Sequence, residues 1–305
     1  MMMNRLVTVV LPLTLLGACL DTETTSETDQ AVSGENGLHG APEPGAAHEF
    51  DARGNAKPGG GGSPLMTLHG GNVLDGGSKT FAIFWGSQWS SPSFAGDKIT
   101  GLDAFFGGFG GTNFAGTSSQ YYGTNGGHVT TASTYLGHTI DTTTPPSKAL
   151  TVNGAVAEGC RMANQAPDPK AVYFIYTSTG AGHVSYCAWH SWGSCSNGAP
   201  IQVAYMPNID GIAGCDPQDT YGTGHSQGLA AVANVTSHEL QEAITDPRGT
   251  GWTDSSGAEN GDKCAWTFTG PVTLANGSTW KLQQEWSNAA YSASVGAPRG
   301  CLQGQ

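Results

Sequence analysis

His238, Glu239 and Glu242 stand together in the stretch Val235 to Cys264, VTSHELQEAITDPRGTGWTDSSGAENGDKC. A His and a Glu four positions apart share one face of a helix, and a second Glu lies beside the His. The spacing is that of H-E-x-x-H helices, where two His hold zinc and the intervening Glu works on water. Here the second His is replaced by Glu242. Glu259 and Asp262 follow on a Gly-rich turn that closes on Cys264.

A catalytic zinc needs three protein ligands and one open position. His238, Glu242 and Glu259 would supply them, with Asp262 as a substitute ligand or as a partner behind His238. Glu239 would then take a proton from the water that attacks a peptide bond. Two carboxylates in place of neutral imidazoles make the site more anionic and harden it toward Ca²⁺ or Mn²⁺. Zinc is therefore the first expectation for the cofactor and calcium the alternative. The loop from Asp254 through Glu259 to Asp262 carries oxygen donors at alternating spacing, as hard-cation loops do, though not in the EF-hand pattern. The bland alternative for His238 and Glu242 is a solvated polar face of an amphipathic helix.

Two further motifs compete. Gly224-His225-Ser226-Gln227-Gly228 fits the G-x-S-x-G nucleophile elbow. No buried strand precedes it, however, and the only His downstream is His238, inside the same helix. Ser226 reads better as a helix cap. Cys187-Ala188-Trp189-His190 sets His190 just past a strand, as a possible additional site residue. Trp189, Trp192 and Trp252 would suit sugar or peptide binding if exposed, and core packing if not.

The elements that must position these groups follow from periodicity. Ser226 to Thr245 reads as one helix, with Leu229, Val232, Ala233, Thr236, Leu240, Ala243 and Ile244 on one face. His238 and Glu242 lie on the other, and Pro247 stops the helix. Lys79 to Trp85 and Ala171 to Thr177 are the clearest buried strands, with further strands expected at 183–189 and 201–206. Helices are expected over 98–107 and 148–164, an extended segment over 128–140, and hairpins around Gly270 and Asn276-Gly277. Alternating helices and strands imply an α/β or α+β domain with a mixed sheet.

The chain has 305 residues, including 46 glycines, which favours turns and long connections over a helical bundle. Its 12 basic and 24 acidic residues give a net charge of −12, which argues against nucleic-acid partners. Residues 1–19 read as a lipoprotein signal peptide. Arg5 precedes the apolar run Leu6 to Leu16, and Leu16-Gly17-Ala18-Cys19 forms a lipobox with Cys19 as the lipidated residue. The expected location is the cell envelope, exported and either lipid-anchored or secreted, with membrane contact only through that anchor. Residues 20–64, rich in Thr, Ser, Glu, Gly and Pro, read as a flexible tether with a span of roughly 35–40 Å. The folded domain then covers 65–305. Six cysteines remain, at 160, 187, 195, 215, 264 and 301, and an even number in an exported chain implies disulfides. We pair Cys264 with Cys301 and leave the other four open.

The motif set resembles the phosphate-induced protein 1, or EXORDIUM-like, family over roughly Thr67 to Cys301. The resemblance rests on His69-Gly70-Gly71-Asn72-Val73-Leu74, Cys187-Ala188-Trp189-His190, Ser237-His238-Glu239-Leu240-x-Glu242-Ala243 with Asp246-Pro247, and Glu259-Asn260-Gly261-Asp262-Lys263-Cys264. Gln284 to Trp286 and Cys301 fit its tail. It implies an extracellular protein, treats Glu242 as a family feature, and adds weight to His190, Glu259 and Asp262. It supplies no established reaction. Together these readings lead to a disulfide-stabilised α/β domain with a zincin-like helix, monomeric, acting as a metal-dependent peptidase on peptide or protein. The alternative is a non-catalytic surface protein with a structural metal, binding protein or cell-surface glycan.

Overall fold

Alternation of side chains along three strands explains the layers. Ala171–Thr177 (β4) is buried at every position, as a central strand covered on both faces must be. Val172, Phe174 and Tyr176 pack into one core cluster, while Tyr173 and Ile175 pack into a second on the opposite face. The strands Tyr186–Ser194 (β5) and Pro200–Met206 (β6) repeat the pattern. Ala188, Ala204 and Met206 join the first cluster; Trp189, Ile201, Val203 and Tyr205 join the second. The computed structural model describes residue 45 and residues 47–53 and 64–304.

With His48–Asp51 (β1), Ser78–Trp85 (β2) and Ser133–Asp141 (β3), these strands form a six-stranded mixed sheet in the order β1-β5-β6-β4-β2-β3. The ladder is parallel from β3 through β2 and β4 to β6, then antiparallel through β5 to β1. Helices Lys98–Phe109 (α1) and Gln227–Thr245 (α3) cover the first face, and Val152–Met162 (α2) covers the second. The expected α/β character and mixed sheet are thus present.

Helix α3 begins where Ser226 caps it, the hydroxyl accepting from Leu229 N at 3.1 Å. Ser226 also donates to Asp97 at 2.5 Å, so it is held as a structural hydroxyl. Every residue of the helix from Leu229 to Thr245 is buried. The polar side is therefore no solvated face; loops and a strand lie over it. Gln241 accepts from Ser118 Oγ at 2.7 Å and donates to Phe114 O, and Asn234 accepts from Gln283 N at 2.8 Å. Trp189 and Trp252 are core residues.

One departure from the sequence reading concerns residues 20–64. Within that stretch, His48–Asp51 is a strand of the sheet, and Phe50 is fully buried. A single aromatic residue among polar neighbours makes little local pattern, and its burial depends on a distant strand edge. Residues 1–19, Cys19 included, and most of 20–64 lie outside the described residues. Among the described residues, no helix is long and apolar enough to cross a membrane.

Disulfides join Cys160–Cys195, Cys187–Cys215 and Cys264–Cys301. Three such bonds place the protein in an oxidising or extracellular environment. The hairpin expected at Asn276-Gly277 is present, Val272–Thr273 pairing with Thr279–Trp280. Opening Cys264–Cys301, which closes a separation of 37 residues, releases a loop-closure entropy worth about 4 kcal/mol. The Cys264→Ser/Cys301→Ser double variant is expected to lose a few kcal/mol in chemical denaturation, the cysteine pair 160–195 being unaffected.

Candidate metal centre

Three segments bring polar groups to the buried side of α3. The helix supplies His238, Glu239 and Glu242. Strand β5 supplies His190, whose side chain shares its face with Ala188 and so points toward the helix. The turn before Cys264 supplies Glu259 and Asp262. This turn is pinned to the helix end: Thr245 Oγ1 donates to Asn260 Oδ1 at 3.3 Å, Asn260 Nδ2 donates to Ser118 at 3.1 Å, and the Asp262 amide donates to Glu242 at 3.0 Å. Gly261 allows the approach. A Cβ there would lie 2.7 Å from His238 Nδ1 and 2.9 Å from Glu242 Oε1, closer than real Cβ atoms come to their neighbours.

The groups converge in three overlapping sets: His238, Glu242 and Asp262; His190, Glu239 and Glu242; and His48, His190 and Glu259. Glu242 serves two of them. Its Oε1 is 3.0 Å from His238 Nε2, and its Oε2 is 3.6 Å from His190 Nδ1. Asp262 lies 3.7 Å from His238 Nε2. Glu259 is 2.9 Å from His48 Nδ1 and 3.7 Å from His190 Nε2. Of the sequence-derived set, His238, Glu242 and Asp262 therefore group directly. Glu259 sits across the cluster with His190 and His48, whereas the sequence reading set it beside His238. Glu239 approaches His190 at 3.2 Å. Asp254 is occupied within its own loop, accepting from Ser256 and Ala258 and pairing with Lys263 at 2.6 Å.

His48 and Gln283 escaped the sequence reading. His48 lies in the stretch read as a tether, and the His-x-Phe alternation of 48–50 was its one available signal. Gln283 lies 2.9 Å from His238 Nδ1 through its amide nitrogen, which also donates to Gly261 O at 3.0 Å. If His238 binds a cation through Nε2, its ring proton moves to Nδ1, and the Gln283 amide must then turn its oxygen to that proton.

The electrostatics are severe. His190, His238, Glu239, Glu242 and Glu259 are each at most 1 % exposed. Among the described residues, no Lys or Arg forms an ion pair with Glu239, Glu242, Glu259 or Asp262. Burial drives the carboxyls of Glu239 and Glu259 well above their ordinary range, with neighbouring carboxylates adding to the effect. Burial likewise raises Glu242 to about 8 and Asp262 to about 7, while it lowers His238 to about 4 and pushes His190 well down.

Several of these atoms stand close together without bonding one another. His238 Nε2, His190 Nε2, Glu239 Oε1 and both oxygens of Glu259 lack a hydrogen-bond partner. Yet His238 Nε2 is 3.0 Å from Glu242, and Glu259 is 2.9 Å from His48. Atoms at hydrogen-bonding distance but misaligned for the bond have their lone pairs aimed past one another, as donors around a shared cation do. The donor set could thus hold a metal ion, by geometry and by charge.

No protein-family model matches the chain, and no curated protein is significantly similar to it.

The pH dependence of the metal-free protein follows from these shifts. His238, with a folded value near 4 against 6.5 unfolded, adds stability that is complete above pH 6.5 and is lost toward pH 4. Glu242 and Asp262, with folded values near 8 and 7 against 4.5 and 3.8, act in reverse: their stability is lost as pH rises from the unfolded value to the folded one. Between pH 6.5 and 8 only the carboxylates act. The urea midpoint of metal-free protein is expected to fall across that window, and saturating divalent metal should flatten the fall. Gln283→Leu should weaken metal affinity by about 10–100-fold, measured by competition with a chromophoric chelator.

Proposed function

We propose that the protein is an exported metal-dependent hydrolase of peptide bonds, with a zincin-like use of helix α3. The observation that carries this reading is the convergence of unbonded His and carboxylate atoms around Glu242. His238, Glu242 and Asp262 are the residues that would hold the metal, with His190 and Glu259 beside them. A borderline divalent ion such as zinc suits this mixture of imidazole and carboxylate. When bound, it supplies Lewis-acid polarisation of a carbonyl and a more acidic water. Glu239 has one oxygen free and a carboxyl whose affinity for protons is raised by burial. It is the group suited to take up a proton from the attacking water and return it to the leaving amine. His190, 3.2 Å away, orients that carboxyl. The resemblance to the EXORDIUM-like family, lipid anchoring through Cys19 and a cell-envelope location belong to the same proposal, on the motifs quoted above.

A second reading has its own support. All of these residues but Asp262 are closed from solvent, and closed sites are the habit of structural metals. The two readings part on two measurements. Elemental analysis of the purified mature chain is expected to find zinc or manganese, lost in His238→Ala and reduced in Glu259→Ala. Glu239→Gln is expected to retain the metal and lose peptide hydrolysis by about 10²–10⁴-fold. Metal retained without turnover in either form would make the centre structural. No bound metal in any form would remove the hydrolase reading.

A further inference from the structure

Strand β1 lies on the edge of the sheet, antiparallel to β5, with His48 opposite His190, Glu49 opposite Trp189 and Phe50 opposite Ala188. Its backbone bonding runs beyond the strand itself. Gly45 N donates to Trp192 O at 2.8 Å, Ala52 N to Ser185 O at 2.8 Å, and Arg53 N to Gly214 O at 2.7 Å. Bonds of this kind are made by any extended chain, whatever its sequence. Without β1, β5 would be the outer strand of the sheet and its edge groups would be unpaired.

The alternate side chains give the position its meaning. Glu49 faces outward, while His48 and Phe50 point into the metal centre. The Phe50 ring is fully buried between His238, at 3.6 Å between ring centroids, and Trp266, at 4.8 Å. The His48 ring stacks on His190 at 5.0 Å and reaches Glu259. The segment thus presents an aromatic ring and an imidazole to the very groups that would carry out hydrolysis. Between it and Pro64 the sequence is GNAKPGGGGS, with five glycines in ten residues.

We propose that the outer edge of β5 is a binding groove for an extended peptide, selecting an aromatic side chain in the slot between His238 and Trp266. Residues 45–53 are its built-in occupant and hold the site latent. The peptide-binding claim stands on the strand and slot alone; its consequence for activity rests on the hydrolytic reading above. A substrate enters only when the segment leaves, because the segment and the substrate need the same backbone groups and the same slot.

The test uses the full mature chain carrying a site-specific protease sequence within residues 54–63. The probe is a fluorescein-labelled peptide of residues 45–53, read by anisotropy, with far-UV circular dichroism to confirm that the cut protein stays folded. The cut protein, separated from its released segment, is expected to bind the peptide, while the uncut protein does not. A Phe50→Ala peptide should bind about 30-fold more weakly. Uncut Phe50→Ala protein is a second route that needs no cleavage: it should capture the wild-type peptide, and trypsin should cut it after Arg53 at least tenfold faster. Folded, cut protein that ignores the peptide, or that binds both peptides equally, would overturn the groove. Unchanged cleavage after Arg53 in the variant would overturn it as well. Peptide binding without hydrolysis after the cut leaves the groove standing and removes the hydrolase reading. Hydrolysis that proceeds at one rate before and after the cut removes the latency.

Discussion

Glu239, Glu242 and Glu259 lie buried with two imidazoles on one side of a helix, with Asp262 and His48 partly exposed at the rim and no Lys or Arg ion-paired to those carboxylates among the described residues. An ionised carboxylate taken out of water without a partner is heavily penalised. The protein must therefore either keep several of these groups protonated or bring in a cation from outside. Both responses are local, but the architecture around them is shaped by the demand. Helix α3 is buried from Leu229 to Thr245 because its polar side is roofed. The roof consists of the 259–262 turn, Gln283 and a strand from far upstream.

The sheet meets that demand by its order. The parallel core β3-β2-β4-β6 is an ordinary two-faced hydrophobic layer, filled by Phe and Tyr on one side and by Ile, Val and Tyr on the other. The change to antiparallel pairing at β5 then puts His190 at the margin of the core, facing the helix. One strand nearer the centre, the facing position is Ala204, which in turn pairs with Phe174. The candidate ligands thus gather where the hydrophobic layer ends.

Much of this was legible in the chain itself. The strands expected at 79–85, 171–177 and 201–206 were legible from β-branched and aromatic runs. Helix α3 was legible from its 3.6-residue period, its Ser226 cap and its Pro247 stop, and H-E-x-x-E marked the face on which the polar groups converge. Cys264–Cys301 is present as paired. What escaped was set by non-local contact. His48 and Phe50 sit in a stretch too polar to fold by itself, and only a free strand edge 140 positions away makes them structural. Glu259 is expected beside His238, with Asp262 as a substitute or a partner behind it, because sequence distance cannot say which side of a histidine a turn will reach. Gln283 carries no motif; its role exists only because His238 Nδ1 happens to face it.

His238 illustrates what such an arrangement imposes on the chain as it folds. The ring touches Phe50 on one side and Gln283 on another, and these partners are separated by most of the domain in sequence. Contacts of such separation form late, since each must close a long loop first. Until the C-terminal end of the chain has arrived, Glu239 and Glu242 on the helix lack the turn and the Gln283 amide that close over them. The centre therefore works as an assembly checkpoint. A chain still lacking its C-terminal end has a helix α3 with an apolar face ready to bury and a polar face that the 259–262 turn and Gln283 have not yet roofed.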